Sequence, residues 1–144
     1  MSKITEQLYI GNYVNASDKR WLDENHITHI VNATPDIPNF FPQDYKYLQL
    51  KLLDVPQQSI YQVLEPSYKF IYNAMGNGGT VLIHCHVGKS RSVSVTIYFL
   101  MKLKGWTYLQ ALNFIKSKRP IAQPNQGFAR QLVSVSPEAA KVFG

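Results

Sequence analysis

Apolar side chains recur along this chain with two different periods, and the change from one to the other marks out its elements. In Tyr45–Leu53 apolar and polar residues alternate, with Tyr47, Leu48, Leu50 and Leu52 as the apolar set, which is the period of a strand. Leu8–Ile10 before Gly11 and His29–Ala33 read as further short strands. Val81-Leu82-Ile83 is a continuous apolar run bounded by turn residues, which predicts a central strand buried on both faces. Between these runs the period is helical. Ser17 is placed to cap a helix through Asn25 with Trp21 and Leu22 inward. Ile60–Met75 forms another, expected to be interrupted near Pro66 and ended by Gly76-Asn77-Gly78-Gly79. Val93, Ile97, Leu100 and Met101 share one face of a helix that Gly105 stops. Thr107 and Gln110 make a capping box, ahead of a stripe of Tyr108, Ala111, Leu112 and Ile115 that Pro120 cannot extend. A last helix begins near Asn125 and is expected to bury Phe128, Leu132 and Val135, leaving Ser136–Gly144 loose. Strand and helix alternate throughout, so the fold class is α/β, in a single domain over residues 1–144.

Composition narrows the picture. Of 144 residues, 45% are hydrophobic and 17% charged, which suits a chain with one buried core rather than a disordered one. No apolar stretch reaches the length of a membrane span, and MSKITEQLYI lacks a signal-peptide pattern, so the expected setting is the cytoplasm, with the nucleus also open to it. There is one cysteine, Cys85, which excludes an internal disulfide and a multi-thiolate zinc site and points to a reducing compartment. The net charge of +6 is spread out, without a basic run interleaved with aromatics. It reads as a solvated surface with a mild preference for anions, and no nucleic-acid partner is expected.

The segment Ile83-His84-Cys85-His86-Val87-Gly88-Lys89-Ser90-Arg91-Ser92 carries the chemistry. A buried strand ends, a short loop follows and a buried helix begins. Such a loop can curl so that its N–H groups line one bowl, with the positive end of the helix dipole behind it. Gly88 permits the turn, and Arg91 offers two parallel N–H donors to two phosphate oxygens. His86, Val87, Gly88, Lys89, Ser90 and Arg91 are therefore the expected anion-binding residues. Cys85, at the mouth of the bowl, becomes a thiolate held by the same donors and a nucleophile aimed at phosphorus. A cysteine and an arginine at this spacing arise by chance in about one chain in ten; with the glycine, the serine after arginine and the strand-to-helix context, in about one in a thousand. Taken alone, Cys85 reads equally as an inert buried thiol and Lys89 as a solvated cation. His84 and His86 with His26 or His29 suggest a metal, but no helix-borne His pair or thiolate set supports one, so neither metal nor cofactor is expected.

His84-Cys85-x5-Arg91-Ser92 resembles the signature of the cysteine-dependent protein tyrosine phosphatase superfamily. Leu8-Tyr9-Ile10-Gly11, Ile27–Asn32, Thr34–Asn39, Lys118-Arg119-Pro120 and Pro124-Asn125-Gln126-Gly127-Phe128 resemble its small dual-specificity branch, of the stand-alone, atypical type. The resemblance implies a central mixed, mainly parallel sheet of about four to five strands flanked by helices. It implies an acid upstream of the cysteine, matched by Asp54 in Leu53-Asp54-Val55-Pro56, which protonates the leaving oxygen and then activates water. Asp36, in the loop before the strand, is the poorer candidate. Ser92 matches a hydroxyl that helps the sulfur leave, and His84 a residue that holds the loop by hydrogen bonding.

No segment matches the loop that deepens the cleft of tyrosine-specific members. The expected activity is therefore dephosphorylation of phosphotyrosine and of phosphoserine and phosphothreonine in proteins, through a phosphocysteine. Expected partners are phosphoproteins, kinases among them. Phosphate, sulfate or vanadate would occupy the loop, and the expected state is a monomer. Two alternatives stay open: a phosphoinositide phosphatase, favoured by Lys89, and a non-catalytic phosphate-binding module.

Overall fold

Val81, Leu82 and Ile83 have no polar atom beyond the backbone, so their strand needs partners on both edges and cover on both faces. It finds them in the computed structural model, which describes residues 1–137. The sheet has five strands in the order β1-β2-β5-β3-β4. These are β1 Ser2–Thr5, β2 Leu8–Gly11, β3 His29–Asn32, β4 Lys46–Gln49 and β5 Val81–His84. β5 lies between β2 and β3 and is parallel to both; β4 continues the parallel set beyond β3. Only β1, paired with β2 across a shift in register between Lys3 and Thr5, is antiparallel. The sheet is thus mixed and mainly parallel, as expected. β1 itself was not legible: Ser2–Thr5 has the one apolar residue Ile4 and no periodicity to detect.

Alternation along the strands divides the core. Leu8, Ile10, Val31, Val81 and Ile83 face the larger cluster with α3 Tyr61–Gly76, α4 Arg91–Lys104, α5 Tyr108–Lys118 and α6 Gln126–Ser134. Tyr9, Ile30 and Leu82 face the other way, onto Ala16 of α1 Tyr13–Ala16, Leu22 of α2 Lys19–Glu24, and Tyr45. Each such aliphatic side chain taken from water contributes about 1.5–3 kcal/mol.

Several boundaries differ from the sequence reading. The helix expected from Ser17 is α2, capped one residue later by Asp18, which accepts from Trp21 N, and a further short helix that the sequence reading missed, α1, precedes it from an Asn12–Asn15 capping box. The alternating strand shortens to β4. α3 runs unbroken through Pro66, because the lost backbone bond is one near its first turns while Leu64, Ser67, Ile71 and Ala74 stay buried below it. Val135 is exposed, whereas Ser136 is buried and its Oγ accepts from Tyr108 N. The expectation of a loose tail fails at Ser136; residues 138–144 lie outside the described part.

α4 is covered on nearly every side, polar residues included. Ser94 and Thr96 hydroxyls donate to the carbonyls of Ser90 and Ser92 four residues back, so burial costs them no hydrogen bond. A helix this deep fixes where its first residue sits, and that residue is Arg91. The Cys85–Ser90 loop therefore lies at the carboxyl ends of the parallel strands, in front of a buried helix N-terminus, where ligands of open α/β sheets bind.

Candidate active site

Every carbonyl from His86 to Ser90 accepts a hydrogen bond, from four residues in all. His86 O accepts from Tyr13 N (3.3 Å), Lys89 O from Gln123 N (2.8 Å) and Ser90 O from Ser94 N (2.8 Å). Arg119 takes the two between, Nη2 donating to Val87 O (3.2 Å) and Nε to Gly88 O (2.7 Å). Because a trans peptide opposes its C=O and N–H, turning these carbonyls out turns the following N–H groups in. Gly88 has φ 78°, and a Cβ there would lie 2.5 Å from Arg119 Nη2 and 2.7 Å from Gly11 O, so only glycine fits.

The sulfur lies on the floor of this bowl rather than at its mouth. Cys85 is 3% exposed, and its Sγ accepts from Gly88 N at 3.2 Å and stands 3.1 Å from Ser92 Oγ. The loop curls round it, so the rim takes the solvent: Val87 is 60% exposed. Arg91 is 8% exposed; Nη1 donates to Leu52 O at 2.9 Å, while buried Nε has no partner among the described residues. An unpartnered N–H on a buried cation, beside a cradle of inward N–H groups, is a donor set for an oxyanion.

Asp54 approaches from the loop after β4. Its Oδ1 accepts from Asn125 Nδ2 at 3.0 Å, and Asn125 N donates to Ser90 Oγ at 2.9 Å, so one asparagine joins Asp54 to the Cys85–Ser90 loop. Gln131 bonds Ile60 N and Gln58 O, and Leu53 N donates to Gln58 Oε1, which ties the Asp54 loop to α6. The backbones also close together: a Cβ on Gly127 would stand 2.0 Å from Pro56 O. Asp54, Lys89, Gln123 and Asn125 border a cleft of about 360 Å³ beside the loop.

Other expected residues are placed differently from one another. The Ser90 hydroxyl oxygen accepts from Asn125 N. His86 pairs with Asp36, Nε2 to Oδ2 at 2.9 Å, so the poorer acid candidate reaches the rim after all. Asn32, wholly buried, bonds Ile37 O, Asn39 Oδ1 and Thr34, which holds the Asp36 loop there. The hydrogen bond from His86 keeps the Asp36 carboxyl below its ordinary range. Arg119 and Asn125 were missed as site residues. Arg119 reads in sequence as one more cation at a helix end, and no local pattern shows that it turns inward.

His84 is 1% exposed and its Nδ1 lies 3.4 Å from Cys85 O. Burial, reinforced by the His86 and Arg91 charges, pushes its imidazole down from 6.5 to about 4, against a smaller upward pull from the Cys85 carbonyl. The neutral ring is therefore the folded form. Between these values the unfolded chain binds a proton that the folded chain refuses. Stability present above the unfolded value of 6.5 is lost as pH falls toward 4. Denaturant titrations are expected to show about 2 kcal/mol less stability near pH 5 than at pH 7 from this group alone. His84→Asn should flatten that slope; an unchanged slope would assign it elsewhere.

A strand, a loop curled around a buried sulfur and a buried helix, on this mainly parallel sheet, are the arrangement of the cysteine-dependent phosphatase class. The chain belongs to the dual specificity phosphatase family, whose catalytic-domain model matches residues 8–137. It is 41% identical over 131 residues (91% of this chain) to Protein phosphatase Slingshot homolog of Xenopus laevis. It is 40% identical over 131 residues (91% of this chain) to Dual specificity protein phosphatase 1 of Arabidopsis thaliana. These matches span 19% and 66% of the two relatives' own lengths. The crystal structure of DUSP15 superposes with a TM-score of 0.91 at 34% identity, covering 99% of this chain and 90% of that one. No helix among the described residues is long and apolar enough to cross a membrane.

Proposed function

We propose that the chain hydrolyses phosphotyrosine and phosphoserine or phosphothreonine in proteins through a phosphocysteine. The single observation that carries this reading is the unpartnered, buried Nε of Arg91, at the end of a loop whose sulfur already accepts the Gly88 N–H. In the first step the sulfur lone pair forms an S–P bond as the P–O bond to the leaving group breaks, and Asp54 gives that oxygen its proton. In the second, Asp54 takes a proton from water as the water oxygen attacks phosphorus. The S–P bond breaks, and the Ser92 hydroxyl at 3.1 Å donates to the departing sulfur. Charge building on the equatorial oxygens meets donors already oriented, which costs no reorganisation. A reducing setting such as the cytosol or nucleus would keep the sulfur in its reactive form.

Lys89 on the cleft favours polyanionic lipid headgroups as the second reading. Against it stands Asp36, whose carboxylate occupies the rim beside His86. A panel of an aryl phosphate, phosphotyrosine and phosphothreonine peptides, and phosphoinositides decides between them. Turnover of both peptides, blocked by vanadate and indifferent to EDTA, is expected. Turnover confined to phosphoinositides would install the lipid reading. Failure on the aryl phosphate at every pH would make this a phosphate-binding module.

A further inference from the structure

Arg119 caps the C-terminus of α5, where Pro120 prevents another turn, and the residue is 7% exposed. All three of its nitrogens are used: Nε and Nη2 on the carbonyls of Gly88 and Val87, Nη1 on Ser2 Oγ of β1 at 3.0 Å. No carboxylate pairs with it among the described residues. A buried cation without a counter-anion is costly, and neutral carbonyls meet only part of that cost. Burial accordingly weakens its hold on its proton, and the charge of Cys85 alone acts in the opposite sense.

We infer that the counter-anion of Arg119 is the Cys85 thiolate, so that Arg119 is a positioning residue: a second cation, set behind the loop and touching no substrate, that turns two loop carbonyls away from the sulfur and sets a positive charge behind it. The inference rests on the reading of Cys85 as a thiolate nucleophile. Arg91 serves the front of the bowl, where the substrate's phosphoryl group arrives. Arg119 serves the back, through the carbonyls of Gly88 and Val87. The other charged or titratable groups around the loop are His84 on β5, His86 and Lys89 in the loop, Tyr13 on α1, Asp36 and Asp54 on neighbouring loops, and Arg91 on α4. Arg119 differs from them in being buried, cationic and bonded to the loop's own backbone.

Cys85 is the only cysteine, so alkylation by iodoacetamide followed by mass spectrometry reads its thiolate without requiring turnover. At fixed, mildly acidic pH, Arg119→Gln is expected to slow alkylation about tenfold, the effect of removing one nearby opposite charge. Arg119→Lys, which keeps the charge, should restore most of the rate. Ser2→Asp leaves every contact of the loop intact but gives the guanidinium a carboxylate on Nη1, and should slow alkylation several-fold. Circular dichroism establishes that each variant is folded. A folded Arg119→Gln alkylated at the parent rate overturns the inference. If that variant does not fold, parent-rate alkylation of Ser2→Asp overturns it. Should the parent protein alkylate slowly and turn over no aryl phosphate, the fault would lie in the proposed function instead.

Discussion

In Cys85→Ser, hydrolysis of an aryl phosphate is expected to fall to background while inorganic phosphate still binds and the far-UV circular dichroism is unchanged. The substitution replaces one small buried atom by another. The Gly88 N–H that donates to the sulfur can donate to a hydroxyl oxygen, so the curl of the loop survives. The outward carbonyls do not involve residue 85's side chain, and Arg91 Nε stays free for the ligand. What vanishes is the nucleophile. A serine hydroxyl ionises far less readily than a thiol, and among the described residues its hydrogen-bond partners are the Gly88 N–H and the Ser92 hydroxyl, neither of them a base. Turnover without residue 85's sulfur would mean direct attack by water and no phosphocysteine. Loss of phosphate binding together with turnover would mean that the sulfur shapes the site rather than reacting in it. A titration of vanadate or phosphate by calorimetry separates these outcomes.

Asp54→Asn is expected to slow cleavage by roughly 10²–10⁴-fold, the usual contribution of a general acid. Shape is conserved: an asparagine oxygen can still accept from Asn125 Nδ2, and the loop keeps its ties through Gln58, Gln131 and the close approach of Pro56 to Gly127. The loss should therefore fall on the rate of chemistry and not on phosphate affinity. It should also depend on the leaving group, being largest for an alkyl phosphate, such as phosphothreonine, whose oxygen cannot depart unprotonated. A variant that matches the parent on both aryl and alkyl phosphates would move the acid elsewhere, and Asp36, bonded to the rim at His86, would be next to examine.

Much of this architecture was legible because the information was local. Val81-Leu82-Ile83 offered no polar side to water and so had to be central. The Thr107–Gln110 box and Gly105, at φ 70°, mark helix ends through groups within a few residues. The cysteine, glycine, arginine and serine of the loop converge because they share one strand–loop–helix segment. Where competing terms had to be weighed, the sequence misled. Pro66 looked like a break, yet burial below α3 outweighs one missing bond. Ser136 looked like the start of a free tail, yet its hydroxyl completes a contact with Tyr108 N.

By itself the sequence determined the class of fold, most of the elements in their order and the loop from Cys85 to Arg91, since periodicity, caps and a contiguous motif are properties of neighbours along the chain. The tertiary structure alone decided that Arg119 props the loop from behind, that Asn125 joins Asp54 to Ser90, that Asp36 meets His86 and that Ser2–Thr5 is a strand. These are meetings between segments tens of residues apart. Polar side chains carry no mark of the partner they will find, and only the packing of the apolar faces brings them together.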